Sequence, residues 1–229
     1  MPAPIVQSAS AIGTTGSVGV TLGATPTPGN TLLAIMAADA YQTGAPTAGA
    51  GRSYTSRLSS QSNLGFYFWT RLVTSGDSAT TTFTLGAASS ACVVVEVAGT
   101  FDKTGTASVV NNSAGGSSAC TGLTPATTDG TTLAVAGLTS TNTILSGISS
   151  NNGFTTVINA INSVSGGGRA NVFVSSLATT TTTATGTTTI SWSGLASDRA
   201  SAQIAFTALA GGGSTFDAAM ISAASTAVA

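Results

Sequence analysis

Short runs rich in β-branched and aromatic residues alternate along this chain with segments of Gly, Asn, Asp, Ser and Thr, and no stretch before residue 210 keeps a helical period. The pattern predicts an all-β protein. The clearest strands fall at 31–39, 64–73, 80–85, 92–97, 131–138, 171–177, 187–192 and 202–207, with weaker ones at 5–8, 17–22, 54–59, 107–111 and 155–161. Within 64–73, Tyr67, Trp69 and Arg71 alternate with Phe66, Phe68 and Leu72. One face of that strand is therefore expected in the core and the other against a further layer. Reversals are expected at Thr25-Pro26-Thr27-Pro28-Gly29-Asn30, Ser75-Gly76-Asp77, Asn151-Asn152-Gly153 and Gly166-Gly167-Gly168, where Gly and Asn supply positive φ angles.

The pattern is written twice. Thr21 to Ile35 matches Thr121 to Val135 at an offset of about 100 residues, Tyr67-Phe68-Trp69 matches Val172-Phe173-Val174 at about 105, and Thr82-Phe83-Thr84-Leu85 matches Thr189-Ile190-Ser191-Trp192 at about 107. An offset that grows in steps is what a duplicated β unit accumulates, because loops absorb insertions and strands do not. The expected fold is a β-sandwich, jelly-roll-like, built from two similar halves at 1–101 and 102–209, with extended N-terminal and C-terminal arms. One jelly roll and two tandem sandwiches both fit the strand count. Residues 210–229 form the C-terminal arm, hinged at Gly211-Gly212-Gly213-Ser214. Phe216 and Met220 lie four apart in it beside Ile221, and these three are the candidates for docking on a partner.

Composition narrows the function. The 229 residues are 42% hydrophobic, enough for a genuine core, yet they carry only six basic and seven acidic side chains and no histidine. The scattered cations leave no footprint for nucleic acid. A surface of Thr, Ser, Gly and Ala repels its neighbours weakly and desolvates at little cost, which suits packing into an assembly. No run approaches the roughly 18 apolar residues that cross a bilayer, and the N-terminus lacks a secretory pattern, so the chain is expected to be made as a soluble cytosolic product. Cys92 and Cys120 read as two buried free thiols, with a bridge between them left open.

Without histidine there is no Ser-His-Asp or Cys-His group and no imidazole acid-base catalyst. Paired carboxylates would have to come from Asp39, Asp77, Glu96, Asp102, Asp129, Asp198 and Asp217, most of which sit in turns or at strand ends. Glu96 alone lies within an apolar strand, and alternation sends it to the face opposite Val95 and Val97, expected to be solvated or at an interface. Gly166-Gly167-Gly168-Arg169 lacks the Lys-Ser/Thr ending of a phosphate loop. Thr179 to Thr183 reads as an extended or loop segment. No residue is assigned to catalysis, cofactor or metal. The aromatic Tyr67, Trp69 and Trp192 are candidates for stacking on a glycan, with core packing as the simpler account.

Gly29-Asn30-Thr31-Leu32-Leu33-Ala34, the aromatic strand Phe66 to Trp69, Asp77 followed by Thr80-Thr81-Thr82-Phe83-Thr84, and Ala91-Cys92-Val93-Val94-Val95-Glu96 together resemble β-sandwich proteins carried in tailed-bacteriophage structural gene clusters. Thr127 to Leu133 and Ser201 to Phe206 continue the resemblance, which spans residues 5 to 209. It implies a non-enzymatic virion protein: a head decoration protein, or a minor tail or fibre protein with a glycan-binding role. The implied partners are the major capsid protein or other virion proteins and further copies of the chain, with a surface glycan for the tail alternative. Nucleic acid and membrane are not among them.

Overall fold

The computed structural model describes residues 4–208 apart from 15, 40–44, 49–51, 62–63, 86–88, 111–114, 127–129, 141–144, 162–168, 180–182 and 197. Among the described residues there are sixteen strands and no helix. In chain order they are β1 (Ile5–Gly13), β2 (Gly16–Thr21), β3 (Thr31–Ala38), β4 (Thr55–Gln61), β5 (Gly65–Leu72), β6 (Thr80–Leu85), β7 (Ser90–Val97), β8 (Gly99–Thr104), β9 (Ser108–Val110), β10 (Gly115–Cys120), β11 (Gly130–Ser140), β12 (Ser146–Ser150), β13 (Thr155–Ile161), β14 (Arg169–Thr179), β15 (Thr188–Ala196) and β16 (Asp198–Ala208).

These strands make two large and two small sheets, and every pairing is antiparallel. The first large sheet runs β1-β7-β3-β5-β4; the second runs β8-β16-β11-β14-β13, with β9 also on β16. Position for position the two orders are the same. The small sheets repeat too, as β2-β6 in the first half and β10-β15-β12 in the second.

Three apolar clusters lie between the sheets. The central one joins Leu33, Ile35, Phe66, Phe68, Val93 and Val95 of the first large sheet to Leu133, Val135, Val172, Val174, Ala202 and Ile204 of the second. A second fills the space between the first large sheet and β2-β6, and a third does the same for the second large sheet and β10-β15-β12. The molecule is therefore a stack of four β layers, small-large-large-small. Both faces of each large sheet are covered, which is why β3, β7 and β11 are buried at every position and read as continuous apolar text rather than alternating text. A single jelly-roll sandwich has only two layers, so the stack is a doubled sandwich.

Register aligns the two halves to the residue. Met36 lies opposite Tyr67, and Ala136 lies opposite Phe173, so Tyr67 corresponds to Phe173 at an offset of 106. The sequence match at about 105 is one residue out. In most strands a slip of one would exchange core and solvent faces and be obvious. Here both faces of β5 are apolar, Phe66 and Phe68 toward the central cluster and Tyr67 and Trp69 toward the outer one, so the sequence offers no contrast to detect it. Even the bulges are copied: β4 bulges between Ser56 and Leu58, and β13 between Thr156 and Ile158.

The weaker strand expected at 5–8 is longer than its pattern suggested: residues 5–13 form an edge strand paired along β7, where the fold was expected to begin with an extended N-terminal arm. The C-terminal arm, with Phe216, Met220 and Ile221, lies outside the described residues. The chain leaves the first large sheet after Val97 and joins the second at Gly99, with the Ala98 N–H donating to the Pro4 carbonyl (2.9 Å).

The two large sheets come close together where Phe66 lies on Gly137. A Cβ at residue 137 would stand 2.3 Å from Phe66 Cδ2 and 3.1 Å from the Ala37 Cβ. Gly137→Ala is expected to destabilise the protein by about 1–3 kcal/mol through overpacking, and Phe66→Leu in the same chain to restore part of the loss. Urea unfolding midpoints of the two variants check this.

Candidate functional site

The scarce ionisable groups are gathered into a few networks, and each is built into the scaffold. The largest sits where β5 ends. The turn after it places Gly76 at φ +81° and brings the Asp77 carboxylate back beneath two arginines. Arg71, on β5, donates from Nη2 to Asp77 Oδ1 (2.9 Å) and from Nε to Oδ2 (3.2 Å). Arg52 donates from Nη1 to the same Oδ1 (2.7 Å), and the Thr74 backbone N–H caps Oδ2 (2.9 Å). Arg52 also reaches Thr74 Oγ1 and the Ser75 carbonyl, while Arg71 reaches the Ser53 carbonyl. The cluster thus ties the segment before β4 to the turn after β5. Burial alone would raise the Asp77 carboxyl, but Arg71, the Thr74 N–H and Arg52 outweigh it and hold the group below the ordinary carboxylate value.

Glu96 is the second network. It does lie opposite Val95 and Val97, but that face is interior as well, and Glu96 is fully buried rather than solvated. The segment after β2 folds over it. Gln7 Nε2 (2.6 Å), the Thr27 backbone N–H (2.8 Å) and Asn30 Nδ2 (2.5 Å) all donate to its carboxylate. Gln7 in turn brackets Ala24, donating to its carbonyl and accepting from its N–H. Strand β1, the 22–30 segment and β7 are fastened through one carboxylate. The residue at the corresponding place in β16 is Ala205, so the sequence repeat carried no hint of the network.

On the corresponding outer face of β16 the second half uses neutral groups instead. Gln203 is fully buried and donates to the Gly186 carbonyl (2.9 Å) and to Thr188 Oγ1 (3.2 Å), while its Oε1 pairs with Thr185 Oγ1. Ser118 and Ser201 share a hydrogen bond of 2.8 Å. These contacts bind β10 and the approach to β15 onto the large sheet.

The remaining candidates are placed as follows. Tyr67 and Trp69 are 4% exposed, stacked on each other at 5.5 Å between centroids, with Phe83 edge-on to Trp69. Trp192 is 6% exposed within the third cluster. The ring faces that a sugar would need are occupied by the protein itself, so of the two accounts of these rings the structure has core packing and not the glycan-stacking candidate. Cys92 and Cys120 are both free thiols and lie in different interlayers, which excludes a bridge between them. Burial pushes both thiols up, Cys120 to about 11. Asp102 accepts from the Ala126 N–H (2.8 Å) and stands 4.0 Å from Lys103. Asp198 is buried at the start of β16, within 3.4 Å of Thr139 Oγ1, while Asp39 is half-buried where β3 ends. Asp129, Asp217 and the segment 166–168 lie outside the described residues. Among the described residues no three metal-ligating side chains converge.

The two small sheets form the outer layers of the stack. Their outward positions include Ser17, Thr21 and Thr84 on one side and Ser117, Ser149, Ser191 and Ser193 on the other, all exposed and all uncharged. Comparison with known protein families, with curated proteins and with solved structures finds nothing that matches the chain.

The Asp77 cluster makes a pH-dependent prediction. Its folded-state value is depressed, so its contribution is fully present above the unfolded value near 3.8 and is lost as pH falls through the folded value. Asp77→Asn is expected to cost about 1–3 kcal/mol at neutral pH. It should also flatten the fall in stability of the wild-type chain below about pH 4. Urea unfolding across an acid pH series measures both.

Proposed function

We propose that the chain is a non-enzymatic structural protein of a bacteriophage virion, a decoration protein bound to the outer surface of the head. The observation that carries this reading is the pair of outward, charge-free Ser/Thr/Gly faces on a four-layer block. Ordinary soluble surfaces carry about a quarter to a third charged residues, which keep proteins apart. Faces without charge lie against a neighbour with little desolvation penalty, and their hydroxyls can donate or accept as the partner requires. On a symmetric lattice many such weak contacts sum by avidity.

The use of charge within the fold agrees with a scaffold. Asp77 and Glu96, the two most deeply engaged carboxylates, hold segments together through fixed hydrogen bonds. The resemblance of residues 5–209 to phage structural β-sandwich proteins supports the same assignment. A minor tail or fibre place remains the alternative, now without its aromatic glycan platform.

Protein composition of purified particles of the phage that encodes the chain tests this reading. Hundreds of copies per particle are expected. Ser117→Glu with Ser191→Glu, which puts charge on one outward face, should weaken attachment to undecorated heads at least tenfold. A few copies per particle would move the protein to the tail, and none would overturn the reading.

A further inference from the structure

Each large sheet has two edges, and an exposed strand edge invites pairing with another chain unless a bulge, a break or a charge blocks it. Three of the four edges are blocked or cut short. Strand β4 bulges near its start and carries Arg57, which lies over the Phe101 ring at 4.1 Å. Strand β13 bulges at the matching place and runs regularly beyond it only from Ile158 to Ile161. The β8/β9 edge carries Asp102 and Lys103 and is broken between Thr104 and Ser108.

Strand β1 is the structural counterpart of β8/β9, and the internal duplication makes that edge its control. Both begin with the same bulge: Ile5 and Gln7 face Val97 and Glu96 with Val6 as the extra residue, and Phe101 and Lys103 face Phe206 and Ala205 with Asp102 as the extra residue. Where the second half has the charged Asp102-Lys103, the first has Val6-Gln7. Where the second half breaks, β1 runs on unbroken from Gln7 to Gly13. The strand IVQSASAIG contains no charge and no proline. Among the described residues no strand pairs with its outer edge. Val6 (47%) and Ile12 (42%), both on this strand, are among the most exposed large apolar side chains.

We propose that β1 is a self-pairing edge, through which two copies of the chain join antiparallel about a two-fold axis at Ala9 into one continuous ten-stranded sheet. Pairing centred on Ala9 sets residue 6 of one copy opposite residue 12 of the other. Val6 therefore meets Ile12 twice across the axis, and the two exposed apolar side chains cover each other. Backbone hydrogen bonds supply the attraction, and the lack of charge lets the strand face its own copy without repulsion. This inference does not depend on the virion reading, since a head can be decorated by monomers or by dimers.

Light scattering coupled to size exclusion tests it on the full chain. The wild-type protein is expected to elute with twice the 22.1 kDa mass of one chain at micromolar concentration. Val6→Lys with Ile12→Lys sets lysine opposite lysine and should raise the dissociation constant at least tenfold. Val6→Asp with Ile12→Lys sets aspartate opposite lysine and should restore the dimer. Amide hydrogen exchange of the wild-type chain gives a readout free of substitutions, with concentration-dependent protection concentrated in residues 7–12. A monomer at hundreds of micromolar, protection elsewhere but not in β1, or failure of the oppositely charged pair to associate better than the lysine pair would each overturn the proposal.

Discussion

Two sheets that are apolar on both faces cannot stand alone, and the architecture follows from covering all four of those faces. The faces with Leu33, Ile35 and Phe68 on one sheet and Leu133, Val135 and Val174 on the other can cover each other because they match in strand order and register. Burial of this kind is non-directional and scales with apolar area, so a duplicated unit with one greasy face is already half of a stable pair. The outward faces are then left to the small sheets, which need only two or three strands each. Close approach at the centre narrows the choice of residue: Gly137 is the position in the second half that gives Phe66 its room.

The most deeply engaged charges lie inside this scheme. Asp77 and Glu96 each tie a loop segment to the strands beside it, and both lie in the first half. The second half reaches the same end with Gln203, Ser118 and Ser201. A duplicated fold can thus diverge in its polar networks while its apolar registers stay fixed. The divergence extends to the edges, where β8/β9 carries the protection that β1 lacks.

Much of the fold was legible in the sequence because strands buried on both faces are unmistakable runs, as in Val93-Val94-Val95. The duplication was visible at Thr31 to Ile35 for the same reason. Strands β8, β10 and β12 were not legible. Gly-Gly-Ser-Ser and Ser-Gly-Ile-Ser-Ser read as loop, and they are strands because neighbours pair with them, not because of their own propensity. The Glu96 network was hidden too, since alternation gives the face a side chain points to but not what covers that face. For Tyr67, Trp69 and Trp192 core packing, the simpler of the two accounts, is what the structure has: an outward-looking strand face is interior when a further sheet lies over it.

The central claim is that the two halves share one core and therefore stand or fall together. Trp69 reports on the first half and Trp192 on the second, and the chain has no other tryptophan. The most direct test is urea unfolding of the chain labelled with 5-fluorotryptophan, following both fluorine resonances. A shared core predicts that both native signals disappear at the same urea concentration, in a single transition. Two separated transitions, with one resonance lost while the other stays native, would contradict it.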